Sequence, residues 1–195
     1  MLKRALVYIN YLRFCFHILY YRKLKALDDP FLYDFQRWVG VVRDGCQANI
    51  YTLVDIFLFY PEFRNLFYYR VKKHSKIIAH LLAIFAKPQP LLSINVDHLG
   101  KGCFIQHGFS TRIGGHYIGD NLWVNQNVTI GYTNATDCPI IGNNVRVTTG
   151  AVVIGKCTVG DNAIIGANAV VVKDVPANAV VGGVPAKIIK YRDDI

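Results

Sequence analysis

The stretch Ile141–Val171, IGNNVRVTTGAVVIGKCTVGDNAIIGANAVV, determines how the second half of this chain folds. An aliphatic residue recurs every six positions in it, at Ile141, Val147, Val153, Val159, Ile165 and Val171. Small or aliphatic residues recur four positions after several of the repeat's aliphatics, at Val128, Val145, Ala151, Ala163 and Ala169. A six-residue unit makes one short strand and one turn, and it buries its apolar residue only when other units stack on it. The spacing therefore predicts a β-solenoid rather than a sandwich.

The repeat extends towards the N-terminus with two irregularities. Ile118, Val124 and Ile130 keep the spacing of six, and the nine residues Gly131–Pro139 then interrupt it. Further upstream, the step from Ile105 to Ile113 is eight residues long, which makes one unit larger than the rest. Glycine or asparagine often follows the inward aliphatic residue, and we interpret these residues as tolerating a turn with positive φ.

The first half of the chain has a different composition. Residues 1–90 hold 19 of the 25 aromatic residues and two glycines, whereas residues 91–195 hold 14 glycines. Apolar spacing predicts helices over Leu2–Leu27, Ile50–Tyr60, Pro61–Val71 and Ser75–Ala86, with another starting at Asp28-Asp29-Pro30. We therefore predict an α+β chain: a helical N-terminal region over 1–90, then a solenoid domain over 91–195 with a short C-terminal extension.

The basic charge is concentrated in the first half. Residues 1–90 carry 14 Lys and Arg against 6 Asp and Glu, whereas residues 91–195 carry 8 against 7. Such asymmetry indicates either an anionic partner or a solvated helix face. Residues 1–25 mix aromatic and leucine side chains with six basic residues, which leaves open a peripheral contact with an anionic membrane or a packed helix covering the first coils. No nucleic-acid motif accompanies the charge, so we expect no nucleic-acid partner.

The cysteines and apolar segments bear on the compartment. The five cysteines, Cys15, Cys46, Cys103, Cys138 and Cys157, form no CxxC pair and no metal-ligand spacing, so we expect free thiols and no metal. Ile50–Tyr69 has the length of a membrane span, but Pro61 and three charged residues interrupt it. We therefore expect a cytoplasmic protein, with membrane association left open.

Three motifs and the hexads carry a family resemblance. The motifs are Gly102-Cys-Phe-Ile-Gln-His-Gly108, Val128-Thr-Ile-Gly131 and Gly182-Gly-Val-Pro-Ala-Lys187. Together they resemble the hexapeptide-repeat acyltransferases, in the branch of serine acetyltransferases and the sugar O-acetyltransferases grouped with them. The resemblance covers roughly Ile94 to Ile189 and implies a left-handed parallel β-helix, acetyl-coenzyme A as co-substrate and a homotrimer.

The same resemblance assigns the catalytic base. His107 lies in the enlarged unit, where the family has its catalytic histidine, and an imidazole titrates close enough to neutral pH to take a proton from a hydroxyl. Gln106, His116 and Asp137 are candidate contacts to the acceptor substrate. Asp97 is a candidate carboxylate for orienting His107.

The coenzyme site also follows from the resemblance. Tyr132, Thr149 and Ala167 resemble the family's contacts to pantetheine, and Gly131 and Gly150 would allow its close approach. Lys187 would meet the phosphates of the coenzyme.

The acceptor is inferred from two departures from the family pattern. Serine acetyltransferases typically have Asp before the catalytic His and Arg-His-Pro after the loop, whereas this chain has Gln106 and Asp137-Cys138-Pro139. Those charged groups would hold the ammonium and carboxylate of an amino acid. We therefore expect an O-acetyltransferase acting on a sugar hydroxyl of a bacterial surface glycan, such as capsule or lipopolysaccharide, in polysaccharide biosynthesis. The alternatives are a serine O-acetyltransferase of cysteine biosynthesis and a non-catalytic β-helix scaffold.

Overall fold

The computed structural model describes residues 2–192 and divides into two compact units between Gln89 and Pro90. The parts of our expectations that fall on Met1 and on residues 193–195 lie outside this range. The first unit contains the helices, and the second contains the strands. The α+β fold class predicted from the sequence is confirmed.

Six helices build the first unit. They are α1 (Leu2–Arg13), α2 (Cys15–Ala26), α3 (Phe31–Val42), α4 (Ile50–Phe59), α5 (Pro61–His74) and α6 (Lys76–Phe85). The run predicted as one helix over Leu2–Leu27 is divided at Phe14, although hydrogen bonding continues through it: the Phe14 N–H donates to the Asn10 carbonyl at 3.0 Å. Asn49 caps α4 by accepting the Thr52 N–H at 3.0 Å, which satisfies a donor that the first helical turn leaves free.

Aromatic rings fill the core of the helical unit. Phe31, Phe57 and Phe67 are fully buried, and the Phe67 ring centroid lies 5.0 Å from each of the other two. His17 is also fully buried among these rings, with its Nε2 at 2.9 Å from the Tyr68 hydroxyl. Most first-half aromatics thus have a packing role.

The helices are short compared with a membrane span. The longest helix within residues 2–192 is α5, with 14 residues, whereas a span needs about 20 apolar residues. No helix in this range is long and apolar enough to cross a bilayer.

Thirteen strands build the described part of the second unit. They are β1 (Leu92–Leu99), β2 (Phe104–Ile105), β3 (Thr111–Ile118), β4 (Trp123–Val124), β5 (Thr129–Gly131), β6 (Ile140–Ile141), β7 (Arg146–Val147), β8 (Val152–Ile154), β9 (Thr158–Val159), β10 (Ile164–Ile165), β11 (Val170–Val171), β12 (Ala179–Gly182) and β13 (Lys187–Tyr191). Every pairing between these strands is parallel except the one that joins β12 to β13. This is the parallel β-helix that the hexads predict.

The strand register stacks the hexad aliphatics in columns. One column runs Ile105, Val124, Val147, Ile165 and Val181, and a second runs Ile113, Ile130, Val153 and Val171. Every side chain in both columns is at most 2% exposed. The loop 132–139 interrupts the coil between β5 and β6, where the sequence placed its insertion.

The turns correct our interpretation of the glycines. Positive φ falls on the third residue after the inward aliphatic, as at Asn144 (φ 55°) and Asn162 (φ 61°), and not on the glycine directly after it. Most of those glycines are required because the next coil lies too close for a side chain: a Cβ on Gly160 would lie 2.4 Å from the backbone nitrogen of Ala177. The turn asparagines also bond to one another along the axis, with Asn144 Nδ2 donating to Asn162 Oδ1 at 3.0 Å.

The C-terminal extension folds back on the last coil. Strand β13 pairs antiparallel with β12, bringing Lys187 opposite Gly182 and Tyr191 opposite Ala179. Lys187 is thereby held beside the final coil.

Candidate active site

His107 lies in a bulge that leaves the coil. The Gln106 N–H still donates to the Val124 carbonyl at 2.8 Å, and the chain rejoins the ladder when Phe109 accepts the Asn127 N–H at 3.0 Å. Between these bonds His107 adopts φ 64°, an uncommon left-handed conformation for a residue other than glycine. The two extra residues of the enlarged unit therefore extrude an exposed imidazole from the solenoid wall. Within residues 2–192, no group hydrogen-bonds the ring of His107.

Amide side chains lie on the next coil beside the His107 bulge. Asn125 Nδ2 donates to Gln106 Oε1 at 3.0 Å, which fixes Gln106 against the wall. The Asn125 Oδ1 and Gln126 Oε1 atoms are buried and accept no hydrogen bond from the described residues. A buried acceptor without a donor is costly, so these two oxygens are suited to donors on a bound ligand. Gln126 was not singled out from the sequence, although its position one coil after the enlarged unit would have indicated it.

Three predicted coenzyme residues lie along the same edge as His107. The turns after β4, β7 and β10 stack there, with the Gly150 N–H donating to the Gln126 carbonyl at 3.1 Å and the Asn168 N–H to the Thr149 carbonyl at 2.9 Å. Gly150 has φ 71°, and a Cβ there would lie 2.1 Å from Asn168 Oδ1. Thr149, Gly150 and Ala167 thus form an edge of small residues along which an extended ligand can lie.

Lys187 lies at the end of the solenoid. It lines a cavity of about 280 Å³ together with Lys173, Asp174, Pro185 and Ala186. Two ammonium groups at one cavity suit an anionic ligand such as a phosphate.

Gly131 and Tyr132 lie on the opposite edge of the solenoid face that contains β5. Strand β5 begins beside the His107 edge and ends at Gly131, so Tyr132 and the loop 132–139 start at the far edge. The structure therefore divides the predicted coenzyme residues between two edges. Asp137 lies in that loop, where its carboxylate accepts from Asn134 Nδ2 at 2.8 Å.

His116 lies on this far edge, and it corrects one expectation. Asp97 Oδ2 lies 2.6 Å from His116 Nδ1, so Asp97 orients His116 within the chain and not His107. Both side chains are well exposed, and the His116 ring meets Tyr132 edge-on at 5.9 Å between centroids. The coil alignment gave the signal for this pair, because Leu99 pairs with Ile118 nineteen residues on, the separation that also joins Asp97 to His116.

Comparisons with known proteins agree with this architecture. The family described as "Bacterial transferase hexapeptide (six repeats)" matches residues 138–173. A serine acetyltransferase of Helicobacter pylori strain J99 is 36% identical over 145 residues, which is 69% of this chain and 85% of that protein. A serine acetyltransferase of Synechococcus elongatus is 35% identical over 152 residues, which is 73% of this chain but 62% of that enzyme. The chain thus spans less than two thirds of the Synechococcus protein.

Solved structures show the same fold. The serine acetyltransferase of Brucella abortus strain S19 superposes with a TM-score of 0.65 at 26% identity, covering 87% of this chain and 71% of that one. The same enzyme in complex with coenzyme A superposes with a TM-score of 0.59 at 26% identity, covering 84% and 67%. The repeat, the extruded histidine and these relatives together show that the chain belongs to the hexapeptide-repeat acyltransferases, in their serine acetyltransferase-like branch.

Proposed function

We propose that the protein is an acetyl-coenzyme A-dependent O-acetyltransferase in which His107 is the general base. The observation that carries this proposal is the bulge, which places an exposed, unpaired imidazole on the edge that also holds Thr149, Gly150 and Ala167. A solenoid that served only as a scaffold would gain nothing from two extra residues that strain one turn and expose a histidine.

The reaction needs a base and donors for a developing negative charge. A neutral ring nitrogen of His107 takes the acceptor's hydroxyl proton as its oxygen attacks the thioester carbonyl carbon. The tetrahedral oxyanion then collapses, the C–S bond breaks, and the imidazolium returns the proton to the departing thiolate. The products are an acetyl ester and free coenzyme A thiol.

We place the coenzyme along the Thr149–Ala167 edge, with its phosphates towards Lys187. Buried Gln126 Oε1 and Asn125 Oδ1 would accept from the amide N–H groups of pantetheine or from the acceptor's hydroxyls. The edge of one solenoid is open on its outer side, so a neighbouring chain has to close the groove. A homotrimer, in which each boundary forms one site, meets this requirement.

Serine is the acceptor that the comparisons favour. The curated relatives with 35% and 36% identity are named serine acetyltransferases, and so is the Brucella structure. Serine was the alternative acceptor predicted from the sequence, and the comparisons support it better than the glycan.

A sugar hydroxyl is the second candidate, and one observation favours it. The side chains at the positions that would hold the charged groups of serine are neutral or already engaged. Gln106 is an amide bonded to Asn125, Asp137 is bonded to Asn134, and Cys138 is buried. An acceptor that must have both of its charges paired would lose several kcal/mol of binding at such a site.

The test measures thiol release from acetyl-coenzyme A with L-serine, simple sugars or a capsular oligosaccharide as acceptor. We expect His107→Ala to lower turnover by about 10²–10⁴-fold while coenzyme binding persists. His80→Ala is the matched control, because His80 is an exposed histidine of the helical unit.

Turnover with serine alone supports the first acceptor, and turnover with a sugar alone supports the second. An active His107→Ala enzyme would remove this residue from the mechanism and direct attention to the Asp97–His116 pair. No thiol release with any acceptor would favour the scaffold.

A further inference from the structure

Helices α1 and α2 are apolar on two opposite sides. Val7, Phe14 and Leu24 point inward and are fully buried. Ile9, Leu12, Phe16 and Leu19 recur at spacings of three and four residues on the other side, and they are 72%, 83%, 51% and 57% exposed. A helix that is hydrophobic all round is ordinarily covered on all sides, so the outward side requires a partner.

Helix α6 extends the same exposed surface. Its buried residues are Ala79 and Leu82, while Ile77, Leu81, Ile84 and Phe85 are 74%, 54%, 72% and 46% exposed. The Phe85 and Phe16 rings lie 5.4 Å apart, and Arg13 Nε donates to the Phe85 carbonyl at 2.9 Å, so the two surfaces are continuous. We call the exposed residues of α1, α2 and α6 the outer apolar face. A groove of about 470 Å³ between α2 and α6 runs along it.

Burial of carboxylates leaves the exposed surface of the helical unit strongly positive. Four of the six carboxylates of the helical unit are buried, namely Asp29, Asp34, Asp55 and Glu62. Among the side chains that the structure describes in this unit, Asp28 and Asp44 are the only exposed carboxylates, against nine exposed cations: Arg4, Arg13, Arg22, Lys23, Lys25, Lys72, Lys73, Lys76 and Lys87. Exposed cations therefore outnumber exposed carboxylates nine to two among these side chains, whereas the ratio in the sequence of residues 1–90 is fourteen to six. Lys23 lines the groove itself.

We propose that the outer apolar face docks this unit onto an anionic lipid surface. Apolar side chains enter the boundary between headgroups and acyl chains, while the surrounding Lys and Arg neutralise the lipid charge, as in interfacial helices. A second copy of the chain fits less well. Two such faces in contact would enclose Arg13 and Lys23 of both copies in one interface, and the like charges would oppose the burial. This proposal does not depend on the catalytic one.

The test is co-sedimentation of the full chain with vesicles at low ionic strength. We expect binding to vesicles of equal parts phosphatidylglycerol and phosphatidylcholine, weak binding to phosphatidylcholine alone, and release by salt. Leu12→Glu should lower the partition to anionic vesicles by about tenfold or more, because it removes an apolar contact and adds a repelled charge. Lys23→Gln should lower it by about fivefold, the share of one basic residue near such a surface.

Val41→Glu is the matched control, since it makes the same charge change at an exposed apolar residue of α3. Leu12 is so exposed that Leu12→Glu should melt like the parent protein. Equal loss of binding in Val41→Glu and Leu12→Glu would overturn the proposal, as would equal binding to neutral vesicles or no binding to anionic ones. If Leu12→Glu lowers the mass of the particle in solution without changing vesicle binding, the face covers a second copy and the proposal is wrong.

Discussion

The helical unit and the β-helix are stabilised by contacts of different range. In the helical unit, buried Asp34 meets Arg70 at 2.9 Å from 36 residues away, and Asp29 meets His74 at 2.7 Å from 45 residues away. In the β-helix from β6 to β11, the contacts repeat every 18 residues, as between Ile141 and Val159 or Val147 and Ile165. A periodic sequence can specify periodic contacts, whereas each distant pair in the helical unit occurs once and follows no period. The two units should therefore respond differently to the same kind of substitution.

Arg70→Met should give the largest change in stability. Asp34 is fully buried and the Arg70 side chain is 5% exposed, so the substitution leaves a buried charge without its partner. We expect the free energy of unfolding to fall by about 3–5 kcal/mol, measured by urea denaturation.

Two further variants test whether the loss of stability comes from removing one charge of a buried pair. The double variant Asp34→Leu/Arg70→Met should recover most of the loss, because it removes both charges. Asp97→Asn, at the exposed pair of the β-helix, should change stability little, since exposed ion pairs contribute little. If Arg70→Met and Asp97→Asn are equally mild, the helical unit does not depend on its buried pair.

How much of each unit's structure the sequence predicts also depends on the range of its contacts. The hexad spacing located the columns, the interrupting loop and the enlarged unit at His107, because each is a local departure from a fixed period. The Asp34–Arg70 and Asp29–His74 pairs had no such signal, because nothing local relates residues so far apart in a helical unit. The break at Phe14 was also missed, since the apolar spacing continues across it.

Errors within the β-helix arose where side chains meet between coils. We assigned positive φ to the glycine or asparagine directly after the inward aliphatic residue, but residues two positions later adopt it, and most of the glycines are needed for the close approach of the next coil. We also considered Asp97 for His107, whereas strand pairing sets it beside His116. The spacing gives the position of a residue on a coil, but the neighbour it meets depends on exact coil lengths.

His17 should make the stability of the helical unit depend on pH. Burial, and then the charges of Arg64 and Arg13, lower the pKa of His17 to about 4, from an ordinary value of 6.5. Between these values the unfolded chain binds more protons than the folded one, so acid favours unfolding. The contribution is fully present above pH 6.5 and falls as the pH drops towards 4, with a total loss of about 3 kcal/mol.

The measurement is urea denaturation across that pH window. His17→Gln should flatten the profile, because a glutamine keeps a donor for the Tyr68 hydroxyl without titrating. His80→Gln, at an exposed histidine, is the control and should leave the profile unchanged. A parent profile that is already flat would mean that His17 stays accessible to protons in the folded protein.

Glycine-to-alanine substitutions should have opposite signs in the two units. Gly40 lies in helix α3, and a Cβ there meets nothing within 4 Å, so Gly40→Ala should stabilise. The expected gain is about 0.5–1 kcal/mol, because alanine loses less backbone entropy on folding.

A Cβ on Gly160 instead meets three backbone atoms of the next coil, at 2.4, 2.8 and 2.9 Å. Backbone in a stacked coil has little room to move, so Gly160→Ala should cost about 1–3 kcal/mol. Melting temperatures of the two variants, each against the parent, would show shifts of opposite direction. If Gly160→Ala is neutral, the coils can separate locally, and packing does not require a glycine at this position.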